Sequence, residues 1–395
     1  MIFQPLDDKG NCIGIYYDGD ILFDSIPSDL SAAWKYSQFL KDNDNIQYAK
    51  LYCGGKAPEF FCPDHIRDEF DRSLKKLRAF YKSFKLGRIS LNDHCFFDLV
   101  PKDFLLEYFD LMNQITEHVI STQEKPKNYD FLLSLTKVMT DISHRKLNIN
   151  LTNGRSKIIS KRGKSAFIKY KKYEPYCKYS IFGSKTGRLI NIPGTFPLLT
   201  MEKDFRAIVE PTNDWFVELD YNGAELRTLL ALCGEEQPEE DIHDWNAKNV
   251  FNNCSREEAK KKIFSWLYNP GSYDKRAESL YNRSKVKKEY WDGKVVRTRY
   301  NRVIPATEHF SVSYIIQSTF NDVLLRQLIK IDKFLENYKS HIAFCVHDSI
   351  IIDFTDDEKY LIPDIKKMFA ENDLGTFKVN IKGGKNFGSL YKLRL

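Results

Sequence analysis

The chain has 395 residues, 42% of them hydrophobic and 29% charged, and its 60 Lys and Arg outnumber 54 Asp and Glu for a formal charge of +6. That length predicts roughly two or three subdomains, and no apolar run approaches the roughly 20 residues of a membrane span, so a membrane protein is excluded and a cytoplasmic location is expected. The mild positive charge permits a nucleic-acid partner without demanding one.

In chain order, the start MIFQPLDDKG lacks the basic and then apolar pattern of a signal peptide. Residues 10–24, GNCIGIYYDGDILFD, predict a β-hairpin turning at Asp-Gly. Its acids Asp18, Asp20 and Asp24 form no Asp-x-Glu pair on a strand, so a proofreading exonuclease is not expected. The eight cysteines contain no CxxC pair and predict reduced, mostly buried thiols. Cys53, Cys62, His65, His94 and Cys95 are spaced too irregularly to argue for zinc. From about 64 to 145 the period becomes helical, with Phe70, Leu74, Leu77, Tyr81 and Phe84 at threes and fours and further patterns over 104–120 and 131–142. QEKPKN at 123–128 breaks the second helix from the third. There is no internal repeat.

Two stretches, 155–172 and 283–302, mix basic residues with aromatics, a composition that suits either a phosphate backbone or a solvated loop. Between them, WFVELDYNGAELRTLLALCG at 215–234 reads as a buried strand ending at Asp220, followed by a helix that Gly234 closes. A carboxylate at the end of an apolar strand needs a cation or a metal, because stranding it costs several kcal/mol. Asn222 and Glu225 have capping-box spacing, which gives the glutamate a local role as one option. Ser255 and Glu258 form a second capping box, so a helix should start near Arg256 and end at NPG, 269–271. On that helix Arg256, Lys260, Phe264 and Tyr268 form a ridge about 18 Å long, either an ordinary two-faced helix or a clamp for a polyphosphate with a surface for a flat ring. HIAFCVHDSIIIDF at 341–354 alternates on both sides of His347-Asp348-Ser349, as a tight hairpin with an acidic tip would. Two strand-end aspartates suggest two divalent ions on hard oxygen ligands, Mg²⁺ being the natural occupant.

The order of these stretches resembles the family A DNA polymerases, the bacterial polymerase I and phage replicative type, over roughly residues 180–395. DYNGAELR at 220–227 resembles the family's motif A, Arg256–Tyr268 its motif B, and VHDS at 346–349 its motif C. TGRL at 186–189 and YIIQSTFNDVLLR at 314–326 resemble flanking segments. The resemblance implies an α+β right-hand fold with a helical thumb, a palm built on an antiparallel sheet and reduced helical fingers. The corresponding divisions are an N-terminal extension at 1–60, whose readings include an exonuclease-domain remnant, thumb and thumb–palm connection at 61–180, palm at 181–250 and 311–395, and fingers at 251–310.

It also implies roles. Asp220 and Asp348, with the main chain of Tyr221, would hold two Mg²⁺ ions, Mn²⁺ being tolerated. Arg256 and Lys260 would hold the triphosphate, Lys260 as proton donor to pyrophosphate. Phe264 would face the incoming nucleotide, Tyr268 would guard the template base, and Glu225 would exclude a 2′-hydroxyl. Arg188 and Gln317 would read the minor groove, His347 would position the primer end or phosphates, and Lys161, Arg162 and Lys164 would meet duplex phosphates. The partners are primer–template DNA and dNTPs, with an unidentified processivity factor as an option, and the enzyme would be a monomer.

Departures from the family pattern are Gly223 and Ala224 in motif A, Ser265 and Asn269 in motif B, Ser313, and Ser349 in motif C. His-Asp-Ser is the spelling of single-subunit RNA polymerases, so an RNA polymerase or primase-like enzyme is the first alternative. A non-catalytic DNA-binding remnant is the second.

Overall fold

The computed structural model describes residues 1–7, 13–269 and 271–393, and its chain separates after His144 into two units, Met1–His144 and Arg145–Leu395. In the first unit, strands β1 (Phe3–Pro5), β2 (Gly14–Tyr17) and β3 (Asp20–Phe23) form an antiparallel sheet in that order. The expected hairpin is present, with Asp18 and Gly19 both at positive φ between β2 and β3, and the part of it at residues 10–12 lies outside the described residues. Three long helices follow, α1 (Arg67–Leu86), α2 (Lys102–Thr122) and α3 (Tyr129–His144), at the positions the apolar period predicts.

The division differs from the boundaries at 60 and 180 read from the sequence. Leu6, Tyr16, Ile21 and Trp34 share one apolar cluster with Phe70, Leu74, Phe104 and Ile115, so residues on either side of 60 bury the same surface and belong together. Segment 145–180 goes with the second unit. The cysteines also differ in one respect: Cys95 is disulfide-bonded, while Cys53, Cys62, Cys177, Cys233 and Cys345 are buried free thiols. Whether two cysteines pair is decided by the distance between them in the fold, which local spacing does not register. Among the described residues no helix is long and apolar enough to cross a membrane.

The first α-helix of the second unit is α4 (Lys161–Lys171), and the unit is organised by one antiparallel sheet. Its strands are β4 (Trp215–Tyr221), β7 (His341–Val346), β8 (Ser349–Phe354), β9 (Val379–Gly384) and β10 (Tyr391–Lys392), in the order β7-β8-β4-β9-β10. A smaller hairpin, β5 (Val295–Arg297) and β6 (Val303–Pro305), lies between helices. The helices are α5 (Ala224–Cys233), α6 (Ile242–Asn249), α7 (Arg256–Tyr268), α8 (Lys275–Tyr281), α9 (Arg283–Tyr290), α10 (Glu308–Leu335) and α11 (Ile362–Ala370).

Strand alternation divides β4 between two faces. Tyr221 stacks on Phe369 of α11 at 4.1 Å and meets Phe320 of α10 edge-on, so that face is covered by helices. Glu218 and Asp220 project to the other. Leu229 and Leu230 of α5, Ile242 of α6, Ile263 and Trp266 of α7, Tyr281 of α8 and Ile315 of α10 share a second apolar cluster, which fixes the ridge helix against the strand-end segment.

Gly223 links β4 to α5 with φ +61°, and a Cβ there would come within 2.2 Å of Ile242 Cγ2. Both the left-handed backbone and the close approach require glycine at this position. Replacing Gly223 by Ala is expected to cost about 2–4 kcal/mol in urea unfolding. An unchanged midpoint would show that the turn relaxes freely.

Candidate active site

Asp220 is the last inward-facing acid of β4 and pairs in register with Ser349, the residue after Asp348, and with Asn380 of β9. The β7–β8 hairpin closes through Val346 and Ser349, leaving His347 and Asp348 as its tip, as the alternation predicts. His347 is exposed at positive φ (53°), and the Ser349 hydroxyl donates to the Val346 carbonyl at 2.9 Å across the turn. Sheet register therefore brings together two acids 128 residues apart.

The charges around Asp220 are incompletely balanced. Burial, with Glu218 and Asp348 nearby, pushes its carboxyl up to about 6, and Lys382 and Asn380 only partly offset this. Other buried acids of the unit are satisfied. Asp322 pairs with Arg302 at 2.6 Å, Asp353 accepts from the Thr212 and Asn213 amides at 2.6 and 3.0 Å, and Glu218 pairs with Lys382. Among the described residues Asp220 has no ion pair of its own, so a cation placed there would offset its charge.

Arg188 lies against the same tip, 3.2 Å from Glu225 and 3.8 Å from Asp348. Its placement rests on Gly187, which is at φ +80° under the Arg302 guanidinium and whose carbonyl accepts from buried Asn321 at 2.7 Å. Arg188, Leu189, Leu199, Cys345, His347 and Asp348 line a cavity of about 250 Å³. Glu225 does not complete a capping box. The residue capping α5 is Gly223, with no side-chain cap, and Asn222 points its amide elsewhere, so the local role is replaced by the ion pair with Arg188. Burial raises the Glu225 carboxyl despite that pair. The Tyr268 hydroxyl is buried beside Glu225 and Gln317, short of good hydrogen-bond geometry with either, and its ionisation is pushed far up by burial.

Helix α7 begins at Arg256 with Ser255 Oγ accepting from the Glu258 amide at 3.3 Å, as the capping box predicts, although the Glu258 side chain pairs with Lys262 instead of reaching back. It ends at Tyr268; of the expected stop, Pro270 lies outside the described residues. On the ridge, the Phe264 and Tyr268 rings are parallel within 4° at 6.1 Å, and Lys260 is exposed.

Arg256 is held rather than free: its guanidinium grips Asp241 through two bonds of 2.9 and 3.2 Å and Glu257 at 2.9 Å. The sequence reading missed Asp241, which also caps α6 and accepts from Asn222 at 2.7 Å. Asn222 in turn accepts from the Ile242 amide and from Arg227, a fully buried guanidinium that also donates to the Pro238 and Glu240 carbonyls. This network ties the β4–α5 turn to α7. His243, also missed, packs on Phe264 at 5.8 Å; burial lowers it to about 4, so it is neutral near pH 7, and its Nδ1 has no partner among the described residues. A capping Asp followed by His, DIH at 241–243, was the available signal.

The basic stretches divide. Lys161, Arg162 and Lys164 are exposed on α4, with Arg162 paired to Glu202 at 3.1 Å, and none bonds to the group around Asp220. In the other stretch Arg283 is turned inward onto the Trp266, Asn269 and Ser272 carbonyls and Arg302 is spent on Asp322.

Because folding raises the Asp220 carboxyl, its contribution to stability is full below about pH 4 and is lost as pH rises through about 6. Asp220→Asn should therefore stabilise the metal-free protein by about 1–3 kcal/mol at pH 7.5, and the gain should vanish toward pH 4. Thermal unfolding across that range measures it, and destabilisation at pH 7.5 would contradict the uncompensated charge.

No family model matches the chain, and no curated protein matches it by sequence. Among solved structures, the chain is similar to the POL domain of Pol1 from M. smegmatis in complex with DNA primer-template and dNTP, with a TM-score of 0.56 and 10% identity over 73% of this chain and 76% of that one. The mixed helical and antiparallel-sheet architecture is thus the fold of a polymerase domain.

Proposed function

We propose that the protein is a template-directed DNA polymerase that extends a primer 3′-OH with dNTPs and releases pyrophosphate. The observation that carries this reading is the convergence on one sheet end of Asp220, Asp348 and the Arg256–Tyr268 ridge, bound together through Asn222, Asp241 and the Arg188–Glu225 pair. The fold shared with the M. smegmatis domain, which holds primer-template and dNTP, supports it.

The donor set fits a divalent cation: one acid at a strand end, another on the neighbouring hairpin tip and a deficit of positive charge at Asp220, a pattern Mg²⁺ completes with substrate phosphates rather than a full protein cage. Asp220, Asp348 and the Tyr221 main chain would hold two Mg²⁺, or Mn²⁺, which supply charge neutralisation for an in-line displacement at the α-phosphorus.

The chain's own residues do the positioning. Lys260 holds a proton at Nζ for the departing pyrophosphate, and Arg256 exchanges Asp241 for triphosphate oxygens, a swap of one bidentate partner for another. Phe264, backed by the neutral His243 ring, presents a flat face to the base. Tyr268 closes the template side, and Glu225 occupies the space beneath the sugar. Arg188 and Gln317 meet minor-groove acceptors, which are similar in every correct pair, once Arg188 is released from Glu225. His347, at the exposed tip, meets the primer end, and Lys161, Arg162 and Lys164 meet duplex phosphates.

In the His-Asp-Ser spelling Ser349 closes its own turn, a local role that is the same for either nucleotide.

Asp348→Asn should lower single-nucleotide extension by about 10³-fold while primer–template affinity stays within a few-fold, because charge neutralisation and not duplex grip is lost. Retained extension would remove Asp348 from the site. Glu225→Ala should raise the ribo-to-deoxy ratio of incorporation by about tenfold or more; an unchanged ratio would leave Glu225 only its pairing with Arg188.

A further inference from the structure

The LysLysLys run at 260–262 places cations on two faces of α7. Lys260 belongs to the ridge, whereas Lys261, Lys262 and Ser265 point about 100–160° around the helix from it. That second face forms one wall of an open cleft of about 780 Å³, closed by the end of α6 and by the loop and first turn of α8. The volume is within the roughly 300–1,000 Å³ of small-ligand sites.

The lining chemistry is specific. Lys261, Lys275 and Arg276 are exposed on its rim. Lys262, paired with Glu258 at 2.7 Å, also stands 5.8 Å above the Phe251 ring. Tyr273 is 76% exposed, a large ring left in water beside these cations. The acid in the lining, Asp274, is engaged in accepting from the Arg276 and Ala277 amides. Four cations with an open aromatic ring is the combination that holds a flexible phosphate chain and stacks its bases, irrespective of sequence. Duplex phosphates would engage the cations but leave Tyr273 without a base to stack on.

The geometry points to a binding site for single-stranded nucleic acid in this cleft, separate from the aspartate site. Two sources share that chemistry, the unpaired template ahead of a primer and a separate strand. The inference goes beyond the polymerase proposal and stands without it.

The test is fluorescence anisotropy with full-length protein, using labelled oligothymidylate of about 12 nucleotides and hairpin primer–templates with 5′ overhangs of about 1 or 10 nucleotides. Tyr273→Ala should weaken oligothymidylate binding by about five- to hundredfold. Lys261→Glu combined with Lys275→Glu should weaken it at least as much and flatten its salt dependence. Both variants should bind and extend the short-overhang substrate within about twofold of wild type. A loss shared by the long overhang supports the site and assigns its strand to the template; a loss confined to free oligothymidylate supports the site and assigns a separate strand. Unchanged oligothymidylate binding in both variants would overturn the inference, as would equal loss on the short overhang. Tighter binding of a labelled poly-glutamate peptide than of oligothymidylate, abolished in the same variants, would overturn it in favour of an acidic peptide. Failure of wild type to extend any primer contradicts the polymerase proposal and leaves this result readable.

Discussion

The second unit depends on one constraint: the register of β4 against β8 sets Asp220 beside the tip that carries Asp348. Two acids in a partly desolvated place repel, and among the described residues none pairs with Asp220 in the way Arg302 pairs with Asp322. Stability alone gives no reason for such an arrangement, since uncharged residues would pack there at lower cost. The surrounding structure holds the acids in place: Tyr221, on the opposite face of the same strand, is stacked on Phe369 and donates to its carbonyl at 2.6 Å. The strain at His347 is kept by a hairpin whose two arms are almost entirely buried.

From that centre, polar contacts reach outward in two directions. Arg188 bridges toward Glu225, and through Glu225 toward Tyr268 at the end of the ridge. Asn222 and Asp241 reach the other end of the ridge at Arg256. The ridge helix is thus tied at its Arg256 end to the segment carrying Asp220, while Ile263 and Trp266 anchor its reverse side in the apolar cluster. Each of these ion pairs holds an arginine beside a carboxylate, so the cation is already placed for an anion.

Much of this was legible locally. The Ser255 cap, the Gly234 closure, the three helices of the first unit and the hairpin tip at His347 and Asp348 follow from patterns spanning a few residues. What escaped depends on contacts between distant residues or on backbone sign. Asn222 and Glu225 have capping-box spacing, but Asn222 is drawn off by Ile242 and Arg227 and Glu225 by Arg188. Arg283 and Arg302 read as free cations and are structural, because burial is not written in composition. The missing boundary at residue 60 has the same origin, an apolar cluster assembled from strands and helices far apart in sequence.

The most direct measurement counts divalent ions in the assembled site. Electron paramagnetic resonance of Mn²⁺, titrated into protein with primer–template and a non-hydrolysable deoxynucleoside triphosphate, should give about two bound ions per chain, and both should be lost or greatly weakened in Asp220→Asn. Mn²⁺ binding that is absent, or identical in the variant, would contradict the assignment of this paired-acid sheet end as the catalytic centre.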